Sequence, residues 1–188
     1  MGVFKLKDMS LIEDMYKGWD ESLLWSCLDG SMGVAYVDNL DKPTSAQIVL
    51  VDFCYFAGEP NEEMVKNKPS GYKNDFVIMV SKDRSWDSVI EKVYGDKAHR
   101  TTRYAIKKEP GIFDGVKLQA VVDNMDSNYE LKFIDKDIYE AAQNGDWSEY
   151  LCGYFLNYST YEDFEKRGLG VVALAKDSHE VVAGVSSY

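Results

Sequence analysis

Hydrophobic residues follow two different spacings along the chain. Between residues 8 and 29 they recur every three or four positions, which predicts two helices divided by Gly18. Short apolar runs bounded by turn-forming residues predict strands instead. Further helices are predicted over residues 59–67, 85–95, 113–125, 136–144 and 161–168, and strands over 34–37, 46–56 with a break near Asp52, 75–80, 100–108, 129–135, 170–175 and 181–185. This alternation of strands and helices indicates an α/β or α+β fold.

The strongest polar interruption is the stretch DNMDSN at residues 123–128. It predicts a boundary between a first domain, residues 1–125, and a second domain, residues 126–188. Both domains contain a helix, then GSMGVAYV (30–37) or GLGVVALA (168–175), then a turn and a longer strand. In the first domain more strands and helices follow, whereas the sequence ends at this point in the second. If the two halves are copies of one fold, we expect the second to contain only its first part.

Composition narrows the function classes. Hydrophobic residues make up 45% of the 188 residues, which is enough for a buried core. No apolar run approaches the roughly 20 residues of a membrane span, so no membrane partner is expected. The formal net charge of −11 argues against a nucleic-acid partner, because a phosphate backbone binds a basic face. An acidic cleft would instead concentrate a cationic ligand such as an amine.

The cysteines and histidines indicate the redox compartment of the protein and whether it has a metal site. Cys27, Cys54 and Cys152 are widely spaced and flanked by apolar or aromatic residues. This pattern predicts buried free thiols and a reduced, cytoplasmic protein. With two histidines and no CxxC pair, no metal site is expected.

Three segments carry a resemblance to a known family. They are GVAYVDNLDKPTSAQIVLVDFCYFAGEPNEE (33–63), TTRYAIKKE (101–109) and GVVALAKDSHEVVAGVSSY (170–188), and residues 43–60 are the most specific part. Over nearly its whole length the chain resembles the zwittermicin-resistance-type branch of the GCN5-related N-acetyltransferases (GNAT). The resemblance implies a mixed, mostly antiparallel sheet flanked by helices, with a degenerate acetyltransferase-like half first and the start of an acetyltransferase domain second.

The resemblance also implies acetyl transfer from acetyl-CoA to a small primary amine, with an antibiotic amine as one acceptor. Members of this superfamily hold the cofactor pyrophosphate in a loop of the form Arg/Gln-x-x-Gly-x-Gly/Ala that opens a helix. GLGVVA (168–173) follows a helix instead of a strand, and FAGEPNEE (56–63) places Glu59, Glu62 and Glu63 where phosphates would lie. No cofactor-binding or catalytic residue is therefore assigned, and we expect the pyrophosphate loop to lie beyond residue 188.

Five residues are candidates for the substrate side of a site. Asp52 interrupts an apolar strand and is either a bulge residue or an amine-binding group. Glu59 either receives the amine proton or caps a helix. Ser186, Ser187 and Tyr188 end the last strand, where they either face the cleft or provide ordinary strand-end polarity. Each candidate thus keeps a structural alternative.

The closing hairpin suggests a rival hypothesis. No element is predicted after its last strand, so the edge of that strand is expected to stay open. The chain would then be a catalytically inactive binding or regulatory module. It would pair through this edge with a partner strand or, as a homodimer, with a second copy of itself. A structural domain without a ligand is a weaker alternative.

Overall fold

The computed structural model describes residues 2–68, 76–104, 106, 109–144, 158 and 160–187. The chain divides into two units, Met1–Arg100 and Thr101–Tyr188. The assignment of residues 1–125 to a degenerate domain and of residues 126–188 to the start of a second domain stays a prediction.

The first unit contains a five-stranded mixed sheet whose strands lie side by side in chain order. They are β1 (Phe4–Leu6), β2 (Val34–Val37), β3 (Ser45–Leu50), β4 (Phe53–Gly58) and β5 (Ile78–Ser81). The neighbours from β1 to β4 are antiparallel, and β5 pairs with β4 in parallel. The long β-run predicted from residue 46 is confirmed as the hairpin of β3 and β4. Strand β1 was not predicted, because three residues are too few to establish an alternating pattern.

The break in that run is a tight turn. Val51 and Asp52 are the two residues between β3 and β4, and Leu50 pairs directly with Phe53. Val51 adopts a φ of 51°, as the first position of a two-residue hairpin turn favours. The interpretation of Asp52 as a bulge residue is therefore wrong, because a bulge is an extra residue within a paired strand.

The helices of the first unit are short. They are α1 (Glu13–Tyr16), α2 (Ser22–Leu28), α3 (Glu62–Lys66) and α4 (Ser85–Tyr94), with 3-10 turns at Met9–Leu11 and Gly95–Lys97. With ten residues, α4 is the longest helix in the described part of the chain. None of the helices described is both long enough and apolar enough to cross a bilayer.

Side chains from the helices and from the segment between α1 and α2 cover both faces of the first sheet. On one face the ring of Tyr55 meets the ring of Trp19 at a centroid distance of 5.5 Å, and Tyr16 Oη donates to the carbonyl oxygen of Tyr55. The opposite face packs against α3 and α4 through the buried cluster of Val49, Cys54, Phe56, Met64, Val65 and Trp86. As a result β3 is buried at all six positions.

A carboxylate organises the turn between β2 and β3. Asp38 accepts hydrogen bonds from Thr44 N and Ser45 N, both at 2.9 Å, and from Thr44 Oγ1 at 2.7 Å. Partial burial favours the protonated carboxyl of Asp38, but these hydrogen bonds outweigh it and hold its pKa below the usual range.

Asp38→Asn should destabilise the first unit in a pH-dependent way. A carboxyl whose pKa is lower in the folded state contributes stability above its unfolded pKa of about 3.9, and this contribution is lost as the pH falls through the folded value. After allowance for solvent screening we expect a loss of about 1 kcal/mol at pH 7, shrinking below about pH 4. Urea unfolding from pH 3 to pH 7 measures this, with Asp41→Asn in the same turn as control. If the difference in free energy of unfolding between wild type and Asp38→Asn stays the same from pH 3 to pH 7, the prediction is wrong.

The second unit contains a three-stranded antiparallel sheet in the order β6-β7-β8. Its elements are α5 (Gly115–Asp123), β6 (Tyr129–Phe133), α6 (Lys136–Gln143), α7 (Tyr161–Arg167), β7 (Gly170–Ala175) and β8 (Val181–Ser186). Asp135 caps α6, because its Oδ1 accepts from Ile138 N at 3.0 Å. From β6 to β8 the described elements repeat the order of β1, α1, α2, β2 and β3 in the first unit.

The predicted strand over residues 100–108 is wrong for the residues described there. Residues 101–104 and 106 form no regular structure and are exposed. A local alternation of apolar and polar residues does not make a strand unless another strand supplies backbone hydrogen bonds and packing.

Candidate functional site

The end of β4 is fixed to the start of β3. Gly58 adopts a φ of +80°, and a Cβ atom on it would lie 2.1 Å from the carbonyl oxygen of Thr44. Glu59 N donates to that same oxygen at 2.8 Å. The hydroxyl of Ser45 donates to the carbonyl oxygen of Glu59. This segment leads through Pro60 and Asn61 into α3.

The first turn of α3 carries its own cap and its own negative charges. Asn61 Oδ1 accepts from Glu63 N at 2.9 Å and from Met64 N at 3.4 Å. Glu62 accepts a hydrogen bond from Lys92 on α4, and this bond with the lysine charge keeps the pKa of Glu62 below its usual value. Glu63 Oε1 pairs with Lys66 Nζ at 2.9 Å. The helix dipole is thus already complemented by side chains of this chain.

An aromatic side chain fills the space behind this turn. Trp86, on α4, is fully buried and stacks on Phe56 of β4 with ring centroids 4.9 Å apart. Its Nε1 donates to the carbonyl oxygen of Gly58 at 3.1 Å. The side chain of Trp86 therefore fills the space between the end of β4 and the helices α3 and α4, which pack on this face of the sheet.

The edge of β4 that faces β5 is also hydrogen-bonded. Ile78 N donates to the carbonyl oxygen of Asp52 at 2.7 Å, and Lys82 N donates to that of Phe56 at 3.0 Å. Between these two bonds, Phe53 to Phe56 pair in register with Ile78 to Ser81. The backbone of β4 is consequently hydrogen-bonded to β5 as far as Phe56, two residues before β4 ends.

The order of elements in the first unit is the one that the resemblance implies: strand, two helices, an antiparallel meander, then helix, strand and helix. Residues 13–188 match the GNAT acetyltransferase family. The chain belongs to this family. The mixed fold with a mostly antiparallel sheet flanked by helices, expected from the sequence, is confirmed.

A solved GNAT relative has a similar structure. It is a GCN5-related N-acetyltransferase-like protein from Streptococcus suis 89/1591, which is 35% identical with a TM-score of 0.77. The match covers 96% of this chain and 70% of that chain. No curated protein matches the sequence.

GNAT proteins generally use acetyl-CoA, and the end of β4 with the start of α3 is where the first unit would hold its pyrophosphate. The residues present do not fit that group. The N–H groups of Glu59, Glu63 and Met64 already donate to protein oxygens. A phosphate placed there would also meet the carboxylates of Glu59 and Glu62. One like-charge pair at 4 Å costs about 1 kcal/mol in water and about 4 kcal/mol at an effective dielectric constant of 20.

The structure does not bring the two candidates of the first unit together. Asp52 and Glu59 flank the six residues of β4, one at each end. At about 3.3 Å per residue they lie roughly 20 Å apart, so they cannot bind the same amine. The alternative that Glu59 caps a helix is wrong, because Asn61 is the cap of α3. The functional roles suggested for Asp52 and Glu59 stay predictions.

The candidates of the second unit lie at the end of β8. Ser186 pairs with Gly170 of β7. Ser187 exchanges two hydrogen bonds with Leu169: Ser187 N donates to the carbonyl oxygen at 2.7 Å, and Leu169 N donates to the Ser187 Oγ at 2.8 Å. These bonds extend the hairpin by one position and use the backbone N–H and the hydroxyl oxygen of Ser187. Tyr188 lies outside the described residues.

Sequence reasoning missed Trp86. The signal was present, because Trp86, Val89, Ile90 and Val93 recur at helical spacing along α4. That spacing reveals an apolar helix face, but it does not reveal which strand the face covers. The contact between Trp86 and the end of β4 becomes visible only in the folded unit.

Proposed function

We propose that this GNAT protein transfers an acetyl group from acetyl-CoA to a small primary amine. The observation that carries the proposal is the family match over residues 13–188. The net charge of −11 also supports a cationic acceptor, since an acidic surface raises the local concentration of amines. Within the family we favour the zwittermicin-resistance-type branch, and with it an antibiotic amine as acceptor.

The reaction has two products that are easily measured, an N-acetyl amide and a free thiol. We would incubate the native protein, isolated from its natural source, with acetyl-CoA and a panel of diamines and amine-bearing antibiotics, and follow thiol release together with the mass of the amine. The matched control for each acceptor is the same compound already acetylated on nitrogen. We expect thiol release only with free amines. Release that is the same with and without an amine, or absent with all of them, would contradict the proposal.

Cys27 and Cys54, the cysteines in the described part of the chain, support a cytoplasmic location and argue against thiol chemistry at these two positions. Cys27 and Cys54 are buried free thiols. Burial raises the pKa of each to about 12, with the Asp29 charge adding to the shift at Cys27. At neutral pH both are therefore protonated, and neither serves as a nucleophile that carries the acetyl group.

A second candidate function is strand pairing through β8. Among the described residues, β8 pairs with β7 on one side, and its six residues carry no charge. Val185 is 71% exposed. An uncharged, exposed strand of this kind is a template for another strand, here the β8 strand of a second copy.

Analytical ultracentrifugation tests this second candidate. We expect a concentration-dependent dimer for the wild-type chain and a monomer for Val185→Lys, because a charge on an edge strand opposes pairing. Val116→Lys on α5, at a side chain that is 81% exposed, is the matched control and should leave the dimer intact. A wild-type chain that stays monomeric at every concentration would exclude pairing through β8.

A further inference from the structure

We infer that the first unit keeps the acetyltransferase fold but binds no coenzyme A, because its own side chains occupy the cofactor position. This position comprises the end of β4 from Phe56, the segment 59–61 and the first turn of α3. The inference concerns the first unit alone and is independent of where in the chain acetyl transfer takes place.

The first reason is that backbone N–H groups at this position already donate hydrogen bonds within the protein. A helix N-terminus binds a phosphate through free N–H groups. Here the amide of Glu59 donates to Thr44, and the amides of Glu63 and Met64 donate to the side chain of Asn61. A pyrophosphate would have to displace both the cap and the backbone contact to β3.

The second reason is charge. Glu59 is exposed beside the first turn, and Glu62 and Glu63 lie within it. The two lysines that could attract an anion are already paired, Lys92 with Glu62 and Lys66 with Glu63. Three carboxylates against two lysines leave the position with a net negative charge, which repels a pyrophosphate.

The third reason is volume. Coenzyme A carries a long flexible arm beyond its pyrophosphate, and this arm needs an open channel along β4. In the first unit the indole of Trp86 occupies the end of β4, stacked on Phe56 and hydrogen-bonded to Gly58. Beside it, β4 pairs with β5 as far as Phe56, whose carbonyl oxygen accepts from Lys82 N at 3.0 Å. The indole therefore fills the space that the arm of coenzyme A would need.

These three reasons come from three separate elements: the segment after β4, the first turn of α3, and α4. A single substitution therefore does not open the position. Removal of the negative charges alone should leave the cap, the contact to Thr44 and the indole of Trp86 in place, and the position should remain closed.

The test uses the whole 188-residue chain labelled with ¹⁵N and titrated with coenzyme A to millimolar concentration. The probes are the backbone amides of Gly58, Glu59 and Glu63 and the indole N–H of Trp86. We expect none of these signals to shift saturably, whatever signals move in the second unit. Saturable shifts at these probes would overturn the inference.

A triple variant, Glu59→Gln, Glu62→Gln and Glu63→Gln, completes the test. The three side chains are on the surface, so the variant should fold, and the same titration should again leave the probes unmoved. If the neutral variant binds coenzyme A at these probes, the position is not filled and the inference fails. Turnover with amines is measured separately on the native protein: turnover there, together with first-unit probes that stay still in the titration, would support both this inference and the proposed function.

Discussion

Replacing Trp86 with Ala should lower the free energy of unfolding of the first unit by about 3–5 kcal/mol. The side chain is fully buried among residues of β4, α3 and α4. Its removal leaves a cavity, and the carbonyl oxygen of Gly58 loses the hydrogen bond from the indole. The loss is measured by guanidinium unfolding, with hydrogen exchange of the amides of β3 and β4 to assign the transition to the first unit.

Trp25→Ala is the matched control. Trp25 lies on α2 in the same unit, but its side chain is 52% exposed, so we expect a loss below about 1 kcal/mol. Equal losses for the two tryptophans would mean that Trp86 does not pack as described. In that case the indole of Trp86 would not fill the cofactor position.

Gly58→Ala should be the most damaging glycine substitution in the first unit. Two costs combine at this position. A φ of +80° disfavours any side chain by about 1–2 kcal/mol. In addition, the new Cβ would lie 2.1 Å from the carbonyl oxygen of Thr44, so β3 and β4 would have to separate locally. We expect a total loss of about 3 kcal/mol or more, measured by the same unfolding experiment.

Gly30→Ala separates the two costs. Gly30 has a similar φ of +78°, but no other heavy atom lies within 4 Å of a Cβ built on it. Its substitution should therefore show the backbone cost alone, about 1–2 kcal/mol. If Gly58→Ala costs no more than Gly30→Ala, the close approach of Gly58 to Thr44 is not an important constraint.

Local signals in the sequence were sufficient for most elements. The apolar run broken near Asp52 became β3 and β4, and Asn61 and Asp135 cap the helices that follow them. Caps and turns succeed as predictors because they satisfy backbone groups only a few residues away. The strand prediction at residues 101–104 was wrong for the opposite reason, since a strand depends on a partner strand that the local sequence does not specify.

The state of the candidate site could be predicted only in part. The carboxylates after β4 are adjacent in sequence, and their conflict with a pyrophosphate was apparent before the structure. Trp86 lies more than twenty residues further along the chain, and its contact with Gly58 depends on how α4 crosses the sheet. Asp52 and Glu59 are only seven positions apart in sequence, but the strand between them places them at opposite ends of β4.

The cysteines described in the first unit, Cys27 and Cys54, lie on opposite faces of its sheet, so the reaction rate of each reports on one face separately. Cys54 belongs to the layer under α3 and α4, whereas Cys27 lies on α2. An alkylating reagent reaches either sulfur only when the layer above it opens. The time course of modification at each site therefore records how often each layer detaches from the sheet. Because the buried cluster around Trp86 holds α3 and α4 on the sheet, Cys54 should react no faster than Cys27, and the unit should open as a whole rather than one layer at a time.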